Sequence, residues 1–146
     1  MDTIAAENPQ IFQSHGDLSE ADAIPLLAKC DLLYAMYPPG RKYELFRRTS
    51  LPIKVSTYIQ AQRPVFAHTP EDSTLACVVR KYRLGCICPS SREVEISAAI
   101  EGLLREPVAR HNFEAARADL MGFGQLEHLA AALRGEAFVP LPESDC

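Results

Sequence analysis

Leu32-Leu33-Tyr34-Ala35-Met36-Tyr37 is an unbroken apolar run, closed by Pro38-Pro39-Gly40. It is short for a helix and lacks the alternation of a half-exposed strand. It therefore predicts a strand buried on both faces, as in a parallel sheet. Parallel strands need long crossover connections, usually helices. The rest of the chain supplies alternating strand and helix signals.

Ile11 and Phe12 predict a first short strand, ended by His15-Gly16-Asp17. Ser19 with Asp22 resembles a capping box, opening a helix with Ala23, Leu26 and Leu27 inward and an irregularity at Pro25. Residues 40–48 form a basic connection with room for a helical turn. A helix follows from Thr49–Lys54, with Pro52 in its first turn and Leu51, Val55, Tyr58 and Ile59 on one face, and runs into the strand Val65–Ala67. Asp72 predicts the cap of a helix bearing Leu75, Val78, Val79 and Tyr82. Gly85 leads into the strand Cys86-Ile87-Cys88. Ser90 with Glu93 reads as a second capping box, before a helix lined by Ile96, Ala99, Ile100, Leu103 and Leu104. Pro107 opens a helix with Ala109, Phe113, Ala116 and Leu120 inside. Gly122 and Gly124 end it, and a last helix carries Leu126, Leu129, Ala130 and Leu133. The expected architecture is α/β: about four short parallel strands, helices on both faces and a helical C-terminus. Residues 10–134 form the domain, between a flexible lead-in at 1–9 and a flexible tail at 135–146.

Composition narrows the function classes. Apolar residues at 47% and charged residues at 23% describe a globular chain rather than a disordered one. A net charge of −4, with no basic block beyond Arg47-Arg48, argues against a nucleic-acid surface. No apolar run reaches membrane-span length and the N-terminus is not a signal peptide, so a cytoplasmic protein is expected. The five cysteines lack framework or metal-ligand spacing; Cys86-x-Cys88 reads as two small hydrophobes on one strand face, and no disulfide and no metal are expected. Arg41, Lys42, Arg47 and Arg48 read as a solvated basic loop. Attraction of a diphosphate or peripheral contact with an anionic membrane are the other readings.

In open parallel sheets, ligands bind beyond the carboxyl ends of the strands. That rule selects His15-Gly16-Asp17, Tyr37-Pro38-Pro39, the helix start at Thr49–Lys54, and His68–Ser73. Ser50, Lys54 and Thr57 fall on one polar stripe. Such a stripe is either a solvated helix face or, with a hydroxyl and an ammonium near free helix amides, a holder of an anion such as phosphate. His15 and His68 stand at strand ends. Asp72 suits either a sugar hydroxyl or a helix cap.

The ordered set of Gly16, Cys30-Asp31-Leu32-Leu33 running to Pro38, Ser50-x-Pro52-x-Lys54, Tyr58 and Arg63-Pro64-Val65 resembles the C-terminal, donor-binding domain of GT-B glycosyltransferases of the family 4 or group 1-like kind. The resemblance spans about residues 10–134. It implies a Rossmann-like half of a GT-B fold, a nucleotide-sugar as donor substrate without a cofactor, and transfer of the hexosyltransferase type to an unidentified acceptor. It places Ser50 and Leu51 at the donor phosphate or sugar, Lys54 at the diphosphate and Thr57 near the ribose. His15, Gly16 and Asp17 would border the base, and the loop from His68 through Asp72 and Ser73 the transferred sugar, with Tyr37 nearby. The chain departs from the pattern at Thr49 and Thr57, where many members carry a pair of glutamates, and at Gln62-Arg63, where a glycine precedes Pro-Val.

The resemblance also implies a domain truncated at its N-terminus. It would be inactive without an N-terminal acceptor domain or partner chain, with residues 11–14 lacking their strand neighbours and one sheet edge open. A decayed Rossmann-like module serving interaction or scaffolding is the alternative. A flavodoxin-like receiver domain lacks its acidic cluster here.

Overall fold

The computed structural model describes residues 7–122, 130–131 and 133–135. Among the described residues three parallel strands, β1 (Leu33–Met36), β2 (Val65–His68) and β3 (Gly85–Cys88), pair in the order β1-β2-β3. The register aligns Leu33 with Val65 and Gly85, and Met36 with His68 and Cys88. The strands are accompanied among the described residues by the helices α1 (Glu20–Leu27), α2 (Glu44–Thr49, preceded by a 3-10 turn at Arg41–Tyr43), α3 (Lys54–Ala61), α4 (Thr74–Tyr82), α5 (Glu93–Arg105) and α6 (Arg110–Met121). The α/β class and parallel sheet agree with the sequence reading.

Each strand sends alternate side chains to opposite faces. On one face Ala35, Val65 and Ala67 meet Val55 and Ile59 of α3, Leu75 and Val79 of α4, and Phe113 and Ala116 of α6. On the other, Phe66, Cys88 and partly buried Cys86 meet Leu103, Ile96, Ala99 and Ile100 of α5. Helices cover both faces, and the second face is covered only at its β3 side. Tyr34 and Met36 remain 44% and 42% exposed there, although Leu33 and Ala35 are buried. The apolar run is thus buried on one face, because no helix among the described residues lies over the β1 half of the second face. The edge is nevertheless not bare: the Tyr58 hydroxyl donates to the Tyr34 carbonyl at 2.9 Å.

Other expectations fail for local reasons. Ile11 and Phe12 form no strand; their amides turn back onto the Asn8 carbonyl and both side chains are exposed. Two apolar residues without a pairing partner cannot sustain a strand. Ser19 does cap α1, accepting from the Asp22 amide at 3.3 Å, and Pro25 is accommodated inside that helix. Asp72 does not cap α4. Ser73 does, accepting from the Ala76 amide at 3.0 Å, while Asp72 is drawn away by Arg47. Ser90 makes no capping box, since its Oγ accepts from the Arg92 amide and α5 begins without a side-chain cap. The helix expected from Pro107 begins at Arg110, and Gly122 ends it. Cys77 is disulfide-bonded whereas Cys30, Cys86 and Cys88 are free, which corrects the expectation of free thiols throughout; an odd cysteine count without framework spacing offered no pairing signal. Ala130 and Leu133 are helical, with Leu133 exposed, whereas Gly124, Leu126 and Leu129 fall outside the described residues.

Gly85 has a steric reason to be glycine. A Cβ added there would fall on the carbonyl and amide of Val65 in the central strand. Gly85→Ala must therefore push β3 away from β2. An overpacking cost of about 1–3 kcal/mol is expected, read as a lower urea midpoint with an unchanged slope; wild-type stability in the variant would refute the close approach.

Candidate functional site

The carboxyl ends of the three strands are tied together by the loops that leave them. The Tyr37 amide donates to the His68 carbonyl at 3.3 Å, and the Thr69 amide to the Cys88 carbonyl at 3.2 Å. These bonds extend the ladder one step past each strand end. The Thr69 hydroxyl then donates to Ser73 Oγ at 2.8 Å, and both residues are buried. The crevice between these loops, bordered by Met36, Tyr37, His68 and Pro89, holds only about 20 Å³, room for roughly one water. A cleft of about 380 Å³ lies beside it at the start of α4, lined by Arg48, Glu71, Asp72, Thr74 and Arg80.

Ser50 and Leu51 do not lie on the helix that carries Lys54. Ser50 is the extended residue ending α2, and α3 begins at Lys54. Its hydroxyl turns back to donate to the Phe46 carbonyl at 2.6 Å, and its carbonyl accepts from the Tyr37 hydroxyl at 2.6 Å and from the Thr74 hydroxyl. The predicted stripe is therefore broken between Ser50 and Lys54. What the structure builds instead is a pinned turn. Tyr37 from the end of β1 and Thr74 from the start of α4 clasp one carbonyl, and the chain leaves that clasp through Leu51-Pro52-Ile53 into the first turn of α3. Leu51 and Lys54 are exposed. Within that first turn the Val55 and Ser56 amides donate to the Pro52 and Ile53 carbonyls at 2.9 and 3.1 Å.

Thr57 faces elsewhere. Its hydroxyl donates to Glu20 Oε1 at 3.3 Å, and Gln60 Nε2 donates to the same oxygen at 2.8 Å. Glu20 is a carboxylate that sequence reasoning missed. It stands in the first turn of α1, and only the packing of α1 on α3 reveals it beside Thr57.

His68 sits between two partners: Tyr34 Oη at 3.1 Å from Nδ1 and the Ser90 carbonyl at 2.9 Å from Nε2. The carbonyl can only accept, so Nε2 carries a proton and donates to it, and Nδ1 pairs with the Tyr34 hydroxyl. Both nitrogens are engaged within the protein. His15, Gly16 and Asp17 are exposed and precede α1, and no strand among the described residues delivers them to the sheet.

Asp72 lines the cleft at the start of α4 and is held there in an ion pair. Arg47 Nε and Nη2 donate to its two oxygens at 2.9 and 2.8 Å, and Nη1 donates to the Gly40 carbonyl at 2.9 Å. Arg47 is buried, contrary to the solvated loop expected from the sequence. The two side-chain hydrogen bonds from Arg47 lower the Asp72 pKa and outweigh its desolvation. Among the described residues no group of His, Cys, Asp and Glu could hold a metal ion, and no helix is long and apolar enough to cross a membrane.

Comparison with known protein families, with curated proteins and with solved structures finds no match to this chain.

The Arg47–Asp72 pair makes a pH prediction. Because the folded pKa of Asp72 is depressed, its stabilisation is complete above the unfolded value of about 3.9 and is lost as pH falls through the folded value. The wild type should therefore exceed Asp72→Asn in stability by a constant margin from pH 7 to about 5, narrowing below about pH 4. Urea midpoints for both proteins from pH 7 to 2.5 test this; a margin that stays constant to pH 2.5 would refute it.

Proposed function

We propose that this chain is the nucleotide-sugar-binding portion of a glycosyltransferase, acting together with an acceptor-binding domain or partner chain. The observation that carries the reading is the clasped Ser50 carbonyl. It fixes the turn that brings the first turn of α3, with the Lys54 ammonium, to the carboxyl end of a parallel sheet, where α/β folds hold phosphorylated ligands. The Ser-x-Pro-x-Lys resemblance adds the donor class. In this reading the amides near Leu51 and Lys54 hold the diphosphate, and Lys54 offsets the charge that grows on it as the sugar departs. Ser50 acts through its backbone. Glu20, held by Thr57 and Gln60, supplies the carboxylate for ribose hydroxyls that the sequence lacks at Thr57 itself.

One observation favours the alternative of a non-catalytic Rossmann-like interaction module. His68, Asp72 and Ser73, the residues assigned to the transferred sugar, all spend their polar atoms on internal partners. The sugar end of the site therefore depends on groups that reorganise or come from a partner.

Calorimetric titration of the chain with UDP- and GDP-sugars and with pyrophosphate separates the readings. Donor binding predicts saturation by a nucleotide-sugar. Lys54→Ala should weaken both nucleotide-sugar and pyrophosphate about tenfold, the loss of one charge-assisted contact. Glu20→Gln should weaken the nucleotide-sugar alone. Absence of saturable binding would favour the interaction module, and unchanged affinity in Lys54→Ala would remove Lys54 from the site.

A further inference from the structure

Residues 41–54 combine two properties that a solvated loop does not need. The first is exposed apolar surface: Ile53 is 90% exposed, Leu45 77% and Phe46 59%, with Tyr43 and Leu51 also exposed. The second is charge. Arg41, Lys42, Arg47, Arg48 and Lys54 against the single carboxylate of Glu44 give the segment a net +4 in a chain whose total is −4. Of these cations only Arg47 is directed inward, to Asp72. Arg48 pairs weakly with Glu44 at 3.3 Å, both exposed, and the Lys42 ammonium lies 5.0 Å from the centre of the Tyr43 ring.

The fold orients the segment. The Arg47 fork anchors one side of α2 to the core, so the opposite side faces outward. There Arg41, Leu45 and Arg48 border one open cleft of about 530 Å³ with Glu44 and Thr49. The pinned turn after α2 then projects Leu51 and Ile53 within a few residues of that surface. Tyr43, Leu45 and Phe46 interleave these cations with exposed apolar surface, and Phe46 also meets the Tyr37 ring edge-on.

We propose that this face docks the protein onto an anionic lipid surface, with Leu45, Phe46 and Ile53 entering the acyl boundary and Arg41, Lys42 and Arg48 lying at the headgroups. Charge complementarity identifies the occupant's sign, since the rest of the chain carries a surplus of carboxylates and is repelled by such a surface. The nearly complete exposure of Ile53 and Leu45 identifies its phase. Leu45 borders an open cleft with Arg41 and Arg48, and exposed apolar side chains interleaved with cations in this way suit the boundary between headgroups and acyl chains. Lysine and arginine stems can lie along apolar surface while their charged ends stay among phosphates. The proposal stands apart from donor binding, since empty vesicles test it without any nucleotide-sugar.

Sedimentation with vesicles of phosphatidylcholine alone, and with about a third phosphatidylserine, is the test. The expected result is at least tenfold stronger partitioning onto the anionic vesicles at low salt, largely lost in 0.5 M sodium chloride, a measurement that needs no variant. Arg41→Glu combined with Lys42→Glu and Arg48→Glu should abolish the preference for anionic vesicles. Leu45→Ser with Ile53→Ser should reduce anionic binding at least fivefold. In the otherwise tryptophan-free chain, Ile53→Trp should show a blue-shifted emission on anionic vesicles. Circular dichroism confirms that each variant is folded. Failure of the wild type to bind anionic vesicles would overturn the proposal, as would equal binding to neutral vesicles or undiminished binding by both sets of variants. Concentration-dependent dimers dissociated by Leu45→Ser with Ile53→Ser, without vesicle binding, would assign the face to a second copy instead.

Discussion

The Arg47 fork is the interaction on which the arrangement of the loops at the carboxyl ends of the strands depends. One guanidinium joins three stretches that the chain visits at different times: the turn at Gly40, helix α2 and the Asp72 loop before α4. A carboxylate and a carbonyl arranged around a planar five-donor group fix orientation as well as distance. With α2 held in this way, its C-terminal Ser50 reaches Tyr37 and Thr74, and the course of the chain into α3 follows. Lysine at position 47 could neutralise Asp72 but could not hold both of its oxygens and the Gly40 carbonyl in one plane.

Two features of the same segment follow from this anchorage. Toward the sheet, the clasped turn sets the start of α3 above the strand ends. Away from the sheet, the side chains that α2 cannot bury remain in solvent. The site proposed for a nucleotide-sugar and the face proposed for a lipid surface thus share one short stretch of chain, with Leu51, Ile53 and Lys54 in common. Position, rather than any special reactivity of the side chains, connects them.

The sheet was legible in the sequence because β2 and β3 bury their residues among neighbours that the sequence also contains. Val65, Phe66 and Ala67 are buried because β1 and β3 flank them and helices lie above and below. The same apolar signal misled at β1, since composition records what a strand could bury and not what is present to cover it. At helix starts the ambiguity was of another kind. Asp72 and Ser73 are adjacent and both suit an N-cap; the choice was made by Arg47, twenty-five residues away. The polar stripe on α3 was read with the right period, but Ser50 belonged to the preceding helix and Thr57 to the interface with α1. Periodicity describes one helix at a time and is silent about its neighbours. The candidate site was therefore legible as a region, and its side-chain directions were not.

The uneven placement of aromatic residues has an optical consequence. The chain contains five tyrosines and no tryptophan, so its near-ultraviolet absorption and emission arise chiefly from tyrosine. Three of the five gather around one short strand: Tyr34 within β1, stacked on Phe66 at 5.9 Å; Tyr37 just beyond it, edge-on to Phe46 at 5.4 Å; and Tyr58 bonded to its outer carbonyl. The natural chromophores are thus concentrated where the sheet is least covered. Light absorbed by this protein reports mostly on its first strand.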